Sequence, residues 1–277
     1  MQRLQFTKMQ AVGNDFIVIE YFKGGELDWS TLSKRLCDRH FGVGSDGLIV
    51  ILPSEIADYR MRMFNPDGTE DMCGNGLRCS IKLFYESQKP DKTYFRIETI
   101  SGIRDGEITD TDEWIVRVNL GKPILSPEDI PVLLDFSPVI DFPLVAGDRT
   151  FNATILSTGT THTVIFFKDL PDEIFLEYSP RIENNPIFPE RTSVIWVTEE
   201  DGDELKVRVW ERGVGETLSC GTGACAAVVA KVLKNGNRTN YRVTSKGGTL
   251  EVNWRDKKDI LLSGKVESVF RGKLELR

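Results

Sequence analysis

The chain has 277 residues, 40% of them hydrophobic and 28% charged, with a formal net charge of −7. That length suits a large core, or two domains of roughly 120–150 residues each. The acidic balance, without any basic block, excludes the electrostatic footprint of a nucleic-acid binder, and no apolar run approaches a membrane span.

Residues 4–9 alternate as a strand does from the outset, with no apolar h-region of a signal peptide, so the chain is expected in the cytoplasm. Gly13-Asn14-Asp15 reads as a turn before a second strand over 16–19. A helix is expected over 29–37, capped by Asp28 or Ser30. The polar, glycine-dense stretch Asp38-Arg39-His40-Phe41-Gly42-Val43-Gly44-Ser45-Asp46-Gly47 leads to an apolar strand over 48–52. An alternating, half-buried run over 59–64 then delivers the turn-rich Asn65-Pro66-Asp67-Gly68-Thr69-Glu70. Strands follow over 95–99 and 114–119. Gly121-Lys122-Pro123, with Pro127 and Pro131 behind it, marks the expected domain crossing and gives domains 1–119 and 120–264.

The second half repeats the order. Residues 154–156 lead to Ser157-Thr158-Gly159-Thr160-Thr161-His162 and a strand over 164–167. A short helix is expected within 169–178, with 182–188 irregular and a strand over 192–197. The alternating run 205–210 ends in Glu211-Arg212-Gly213-Val214-Gly215-Glu216-Thr217, and Asn235-Gly236-Asn237 closes a later helix. Strands over 241–244, 249–254, 260–263 and 266–269 finish the chain. Each half gives a strand, a polar loop and a cysteine at a helix start. Many short strands with about one long helix per half imply an α+β fold of mostly antiparallel sheets.

Five cysteines are present: Cys37, Cys73, Cys79, Cys220 and Cys225. An odd number without a secretory signal argues against a disulfide framework. The Cys-x5-Cys and Cys-x4-Cys spacings, with His40 and His162 the only histidines, argue against structural zinc. Cys73 stands in Met72-Cys73-Gly74-Asn75-Gly76 and Cys220 in Ser219-Cys220-Gly221-Thr222-Gly223. Each precedes a run able to wind into a helix, 77–85 and 224–234. A cysteine at a helix mouth meets unpaired N–H groups and the positive dipole end, which lowers a thiol pKa. The glycines let a ligand anion reach the backbone. Cys79 and Cys225, a turn or so further on, read as core, as does Cys37, while His40 reads as a loop anchor.

Two such cysteines in a duplicated chain can face one substrate as a redox couple, a metal pair or a base and acid pair. In the last case a thiolate removes a proton from carbon and a thiol returns one to the opposite face, giving stereoinversion. Backbone N–H groups around Gly74-Asn75 and Gly221-Thr222 can hold the carboxylate beside the carbanion. No pyridoxal site or dinucleotide fingerprint is visible, so no cofactor is expected.

The two cysteine segments, the second taken as Trp210 through Cys225, resemble the paired signatures of the diaminopimelate epimerase family. Gly13-Asn14-Asp15-Phe16, the Asp38 to Gly47 stretch and Phe64-Asn65-x-Asp67-Gly68 match in the same order, so the resemblance spans essentially the whole chain. It implies two pseudo-symmetric domains, each a mostly antiparallel curved sheet or open barrel around a central helix, with the active site in the interdomain cleft. The last strand, 265–277, returns to the N-terminal domain. The implied reaction is cofactor-independent epimerisation of LL-2,6-diaminopimelate to meso-diaminopimelate, for lysine and peptidoglycan precursors, by a homodimer. Residue by residue, Cys73 and Cys220 are then the base and acid, with His162 and Glu211 positioning and polarising the thiols. Gly74, Asn75, Gly221 and Thr222 bind the carboxylate at the reacting carbon. Asn14, Gly47, Asn65, Glu211 and Arg212 fall among the residues that hold the rest of the substrate.

Two positions depart from the family pattern. Thr160 and Ser193 stand where the family places substrate-binding asparagines, and Thr161 replaces a proline. A hydroxyl is shorter than an amide and offers one donor instead of two. The alternative reading is therefore a racemase of another amino acid such as lysine. A thiol oxidoreductase would want Cys-x-x-Cys, which the chain lacks. A non-catalytic amino-acid-binding protein would have no need of both cysteines.

Overall fold

A computed structural model describes residues 2–276 except Gly24, Glu26, Glu200, Asp201, Gly236, Asn237 and Lys257. Most of the expected Asn235-Gly236-Asn237 helix stop, and the end residues Met1 and Arg277 of the expected domains, lie outside the described residues. The chain divides into two units, residues 1–119 with 263–277 and residues 120–262.

Unit 1 contains β1 (Gln2–Ala11), β2 (Asn14–Glu20), α1 (Trp29–Leu36), β3 (Gly47–Leu52), β4 (Tyr59–Phe64) and β5 (Glu70–Asp71). It continues with α2 (Gly74–Gln88), β6 (Tyr94–Thr99), β7 (Gly102–Asp110) and β8 (Ile115–Asn119). Unit 2 contains β9 (Val139–Ala146), β10 (Arg149–Ser157), β11 (Thr161–Phe166), α3 (Asp172–Glu183), β12 (Ser193–Glu199) and β13 (Glu204–Glu211). Then come β14 (Gly215–Thr217), α4 (Gly221–Asn235), β15 (Asn240–Ser245) and β16 (Gly248–Trp254), while β17 (Ile260–Lys265) begins in unit 2 and passes into unit 1 at Ser263. The last strand, β18 (Glu267–Leu276), belongs to unit 1 and runs antiparallel to β1.

The pairing is the same in both units. β1–β2 is antiparallel, β2–β3 parallel, β3–β4 and β4–β5 antiparallel, β4–β6 parallel and β6–β7 antiparallel. In unit 2, β10–β11, β11–β12, β12–β13, β13–β14, β13–β15 and β15–β16 repeat that series. Each parallel pair needs a crossover, and helices supply it: α1 and α2 in unit 1, α3 and α4 in unit 2. The internal repeat legible in the cysteine motifs is thus a repeat of topology.

The central strands show why. β3 is buried at Leu48, Ile49, Val50 and Ile51, the unbroken apolar run of a strand covered on both faces. Leu48 and Val50 join the cluster of Trp29 and Leu36 from α1, while Ile49 lies against Gly76 of α2. In unit 2, Val194 and Trp196 of β12 pack with Phe175 and Ile182 of α3, and Ile195 lies against Gly223 of α4. α2 touches β1, β2, β3, β4, β7 and β8, and α4 touches β9 through β13 together with β15 and β16. Both helices are buried nearly all round, but differently: α4 is apolar from Ala224 to Ala230, whereas α2, buried from Gly74 to Leu83, carries Asn75, Arg78, Ser80 and Lys82, each held by a polar partner.

Several local expectations need correction. The helices after the cysteines begin at Gly74 and Gly221, a turn earlier than expected, because each cysteine itself caps its helix. The turn between β1 and β2 is Val12-Gly13, both at positive φ, and Asn14 and Asp15 already belong to β2. α3 does not stop near residue 178: it runs through Pro180 to Glu183, so Ile182 is helical rather than irregular. Burial of Phe175, Tyr178 and Ile182 against β12 offsets the hydrogen bond that Pro180 cannot make. α1 ends at Leu36, capped by Asp28 through the Thr31 N–H at 2.9 Å. Among the described residues no helix is long and apolar enough to cross a membrane.

Candidate active site

The two cysteines are set in matching local geometry. Cys73 caps α2 in extended conformation, and its Sγ accepts the Gly76 N–H at 3.4 Å. Cys220 Sγ accepts the Gly223 N–H, also at 3.4 Å. The third residue of each helix is glycine for the same reason: a Cβ on Gly76 would meet Ile49 Cδ1 at 2.9 Å, and one on Gly223 would meet Ile195 Cδ1 at 2.6 Å. Cys73 and Cys220 are half-buried as residues, whereas Cys37, Cys79 and Cys225 are buried. Burial raises the Cys37 thiol and pushes Cys79 up to about 12, which keeps both inert. The core reading of these three holds. His40 is exposed in its loop, with its N–H on Asp38 Oδ1 at 2.7 Å.

Each sulfur also meets an acceptor. Cys73 Sγ donates to Asn14 Oδ1 at 3.7 Å. Asn14 Nδ2 donates to Asp46 Oδ2 at 2.8 Å, and Arg39 holds Asp46 Oδ1 at 2.6 Å. The Asn75 amide is committed to its neighbours: Nδ2 donates to Asn14 Oδ1 at 3.4 Å and Oδ1 accepts from buried Arg78 Nη2 at 2.6 Å. What Asn75 can offer an incoming anion is its backbone. Gly47 opens β3 opposite Phe16, close under Met63, and Asn65 Nδ2 donates to Thr69 Oγ1 at 3.0 Å across the β4–β5 turn.

Around Cys220, Thr222 Oγ1 lies 3.3 Å from the sulfur and Glu211 hydrogen-bonds it from the end of β13. Thr217 Oγ1 donates to Glu211 Oε1 at 2.5 Å and fixes that carboxylate. The Cys220 thiol is raised well above its usual range, first by removal from water and then by the Glu211 charge; Thr222 and the Gly223 N–H act the other way. The helix start alone implies a lowered pKa, and here that expectation fails. Removal from water outweighs the dipole, which is a fraction of a charge, and Glu211 adds a full charge in contact. A Glu211→Gln chain is expected to alkylate Cys220 at lower pH than wild type, read by mass spectrometry after iodoacetamide treatment. An unchanged midpoint would leave desolvation as the whole cause.

His162, fully buried on β11, donates from Nδ1 to the Thr160 carbonyl at 2.6 Å. A carbonyl only accepts, so the neutral ring carries its proton on Nδ1 and a lone pair on Nε2. Nε2 is buried without a hydrogen-bond partner among the described residues. Burial holds the ring down to about 4, and the charge of Arg212 adds to this against the Thr160 hydrogen bond. Thr158 ties the same turn to α4, its Oγ1 donating to Thr222 O at 2.9 Å. Ser193 is the strand neighbour of His162, and its Oγ accepts the Arg212 N–H at 3.1 Å. Arg212 Nη1 donates to Glu190 O at 3.0 Å.

The sequence did not single out the residues that hold these groups still. Asp46, Arg39, Arg78, Thr158 and Thr217 all stand inside stretches quoted for other reasons. A charged residue such as Arg78 in the first turns of a buried helix was the one available signal.

A sequence profile of the family described as diaminopimelate epimerase matches residues 6–126 and 154–269. A diaminopimelate epimerase of Caldanaerobacter subterraneus subsp. tengcongensis is 43% identical over 99% of this chain and all of its own. One of Methanococcus maripaludis is 41% identical with the same coverage. Among solved structures, a probable proline racemase from Agrobacterium radiobacter aligns with TM-score 0.71 at 16% identity, over 99% of this chain and 93% of its own. A Bacillus anthracis protein of the phenazine biosynthesis PhzF family aligns with TM-score 0.70 at 18% identity over all of both chains.

Proposed function

Because the chain belongs to the diaminopimelate epimerase family, we propose that it converts LL-2,6-diaminopimelate to meso-diaminopimelate without a cofactor, using Cys73 and Cys220 on opposite faces of one α-carbon. The observation that carries this reading is the matched setting of the two sulfurs. Each faces one N–H, which favours the thiolate, and one oxygen acceptor, which favours the thiol. A reversible inversion needs groups poised in this way, since the acid of one direction is the base of the other.

In the proposed step one thiolate takes the α-proton and the C–H electron pair stays on carbon, delocalised into the carboxylate. The other cysteine then gives its S–H proton to the opposite face. The thiol and thiolate have exchanged places, and proton exchange with solvent restores them. The N–H groups at the starts of α2 and α4, at Gly74, Asn75, Gly221 and Thr222, suit the α-carboxylate and the negative charge that grows on it. His162, with its bare Nε2, and Glu211 position and polarise the thiols. Asn14, Gly47, Asn65, Glu211 and Arg212 are assigned to the remainder of the substrate, with Arg212 as partner of the distal carboxylate. The two compact units are assigned as the two catalytic domains, in a homodimeric cytoplasmic enzyme.

Thr160 and Ser193 support a second reading, racemisation of another amino acid such as lysine. The Thr160 carbonyl is occupied by His162, and Ser193 Oγ already accepts the Arg212 N–H. Neither residue brings the amide that the family pattern has there. The deciding experiment is α-proton exchange in D₂O under reducing conditions, on LL-diaminopimelate, L-lysine and other L-amino acids. Fast exchange with diaminopimelate is the expected result. Dominant exchange with lysine or another amino acid selects the second reading, and no exchange with any of them overturns both.

A further inference from the structure

The amide of Asn14 is not free to choose which end it shows to Cys73. At one end of its hydrogen-bond chain stands Arg78, which can only donate, and at the other Asp46, which as a carboxylate can only accept. Arg78 Nη2 donates to Asn75 Oδ1, Asn75 Nδ2 to Asn14 Oδ1, and Asn14 Nδ2 to Asp46 Oδ2, at 2.6, 3.4 and 2.8 Å. With its ends fixed in this way the chain has a single direction, and the Asn14 carbonyl is the face that Cys73 meets.

We propose that Asp46 is a positioning residue for Cys73: by holding Asn14 Nδ2 it keeps the Asn14 carbonyl on the sulfur and so biases Cys73 toward the protonated thiol, against the Gly76 N–H that favours the thiolate. The two anchors of Asn14 are unequal. The Asn75 contact is long, whereas the Asp46 contact is short and made to a charge. Asp46 is itself braced by Arg39 on its other oxygen and by the Asp15 N–H at 3.1 Å. Without Asp46, the Asn14 amide can turn and present Nδ2–H, which is a donor to a thiolate. The charged groups around the chain are Lys8 of β1 and Asp15 of β2, which pair with each other, Arg39 and Asp46 of the following loop, and Arg78 of α2.

Charge and orientation can be told apart. In Asp46→Asn the charge is lost, but a side-chain oxygen can still take the Asn14 and Asp15 N–H groups. In Asp46→Ala both are lost. The readout is the pH at which Cys73 is half-alkylated by iodoacetamide, followed by peptide mass spectrometry on the full-length protein. It needs no substrate and therefore stands or falls apart from the proposed reaction. The midpoint is expected to fall by about 0.5–1 pH unit in Asp46→Ala and to stay near wild type in Asp46→Asn. Equal shifts in both variants would make the effect one of charge alone, and no shift in either would remove Asp46 from the control of Cys73; both outcomes overturn the proposal. If the alanine chain does not fold, Asp46→Ser, whose hydroxyl stops short of Asn14 Nδ2, replaces it with the same expectation.

Discussion

Cys73→Ser and Cys220→Ser are each expected to fold as the wild-type chain does and to lose turnover by about 10³-fold or more, since removing a positioned acid or base costs roughly 10²–10⁴ and serine is far the weaker acid. Folding is spared for a local reason. Cys73 is an N-cap whose sulfur accepts an N–H at 3.4 Å, and serine is among the preferred residues at that position. The same holds at Cys220, whose sulfur accepts the Gly223 N–H. The measurements are stereochemical turnover of diaminopimelate together with circular dichroism and thermal unfolding. Activity within tenfold of wild type in either variant would end the two-thiol scheme. Loss of activity with loss of fold would be answered by Cys→Ala chains, which have the same expected result for turnover.

The second large effect is on stability against pH. His162 titrates at 6.5 in an unfolded chain and is held down to about 4 in the fold. Between these values the unfolded chain binds a proton that the folded one refuses, so stability falls as the solution is made acid. The contribution is fully present above 6.5 and is lost as pH drops through about 4. A difference of that size corresponds to about 3 kcal/mol at the acid end. Urea unfolding of wild type and His162→Gln is expected to show the variant with the flatter acid limb. Parallel limbs would mean that the buried ring does not resist protonation.

What the sequence made legible was local, and what it hid came from a distance. The helices behind Cys73 and Cys220 announce themselves because glycine, cap and apolar run are consecutive. The alternating runs 59–64 and 205–210 match β4 and much of β13 for the same reason. β9 escaped notice because Pro143 and Asp141 interrupt its pattern; Pro143 sits in a strand whose described partner is β10 alone. The helix expected within 169–178 continues to Glu183 because its last turn, past Pro180, depends on packing against β12, which no window of sequence contains. The state of Cys220 is hidden from the sequence for a related reason. The dipole of α4 is written into the residues that follow Cys220, whereas the burial that chiefly raises the thiol, and then the Glu211 charge on β13, come from elsewhere in the chain. Arg78 and Asp46 are likewise joined through two amides and not through the chain.

The pairing of β18 with β1 sets an order of events during synthesis. Unit 2 is one uninterrupted stretch, 120–262, and has β9 through β16 complete once that stretch has emerged. Unit 1 begins first but closes last, because β1 waits for residues 267–276 to supply its partner. Until then the nine β1 residues from Gln2 to Gln10 lack their partner on that side, among them Phe6, whose ring later meets Phe270 edge-on at 5.9 Å. An unpaired edge of that length is a template for joining other chains. A frameshift or nick that removes β18 therefore spares every group proposed for chemistry and still yields an adhesive protein.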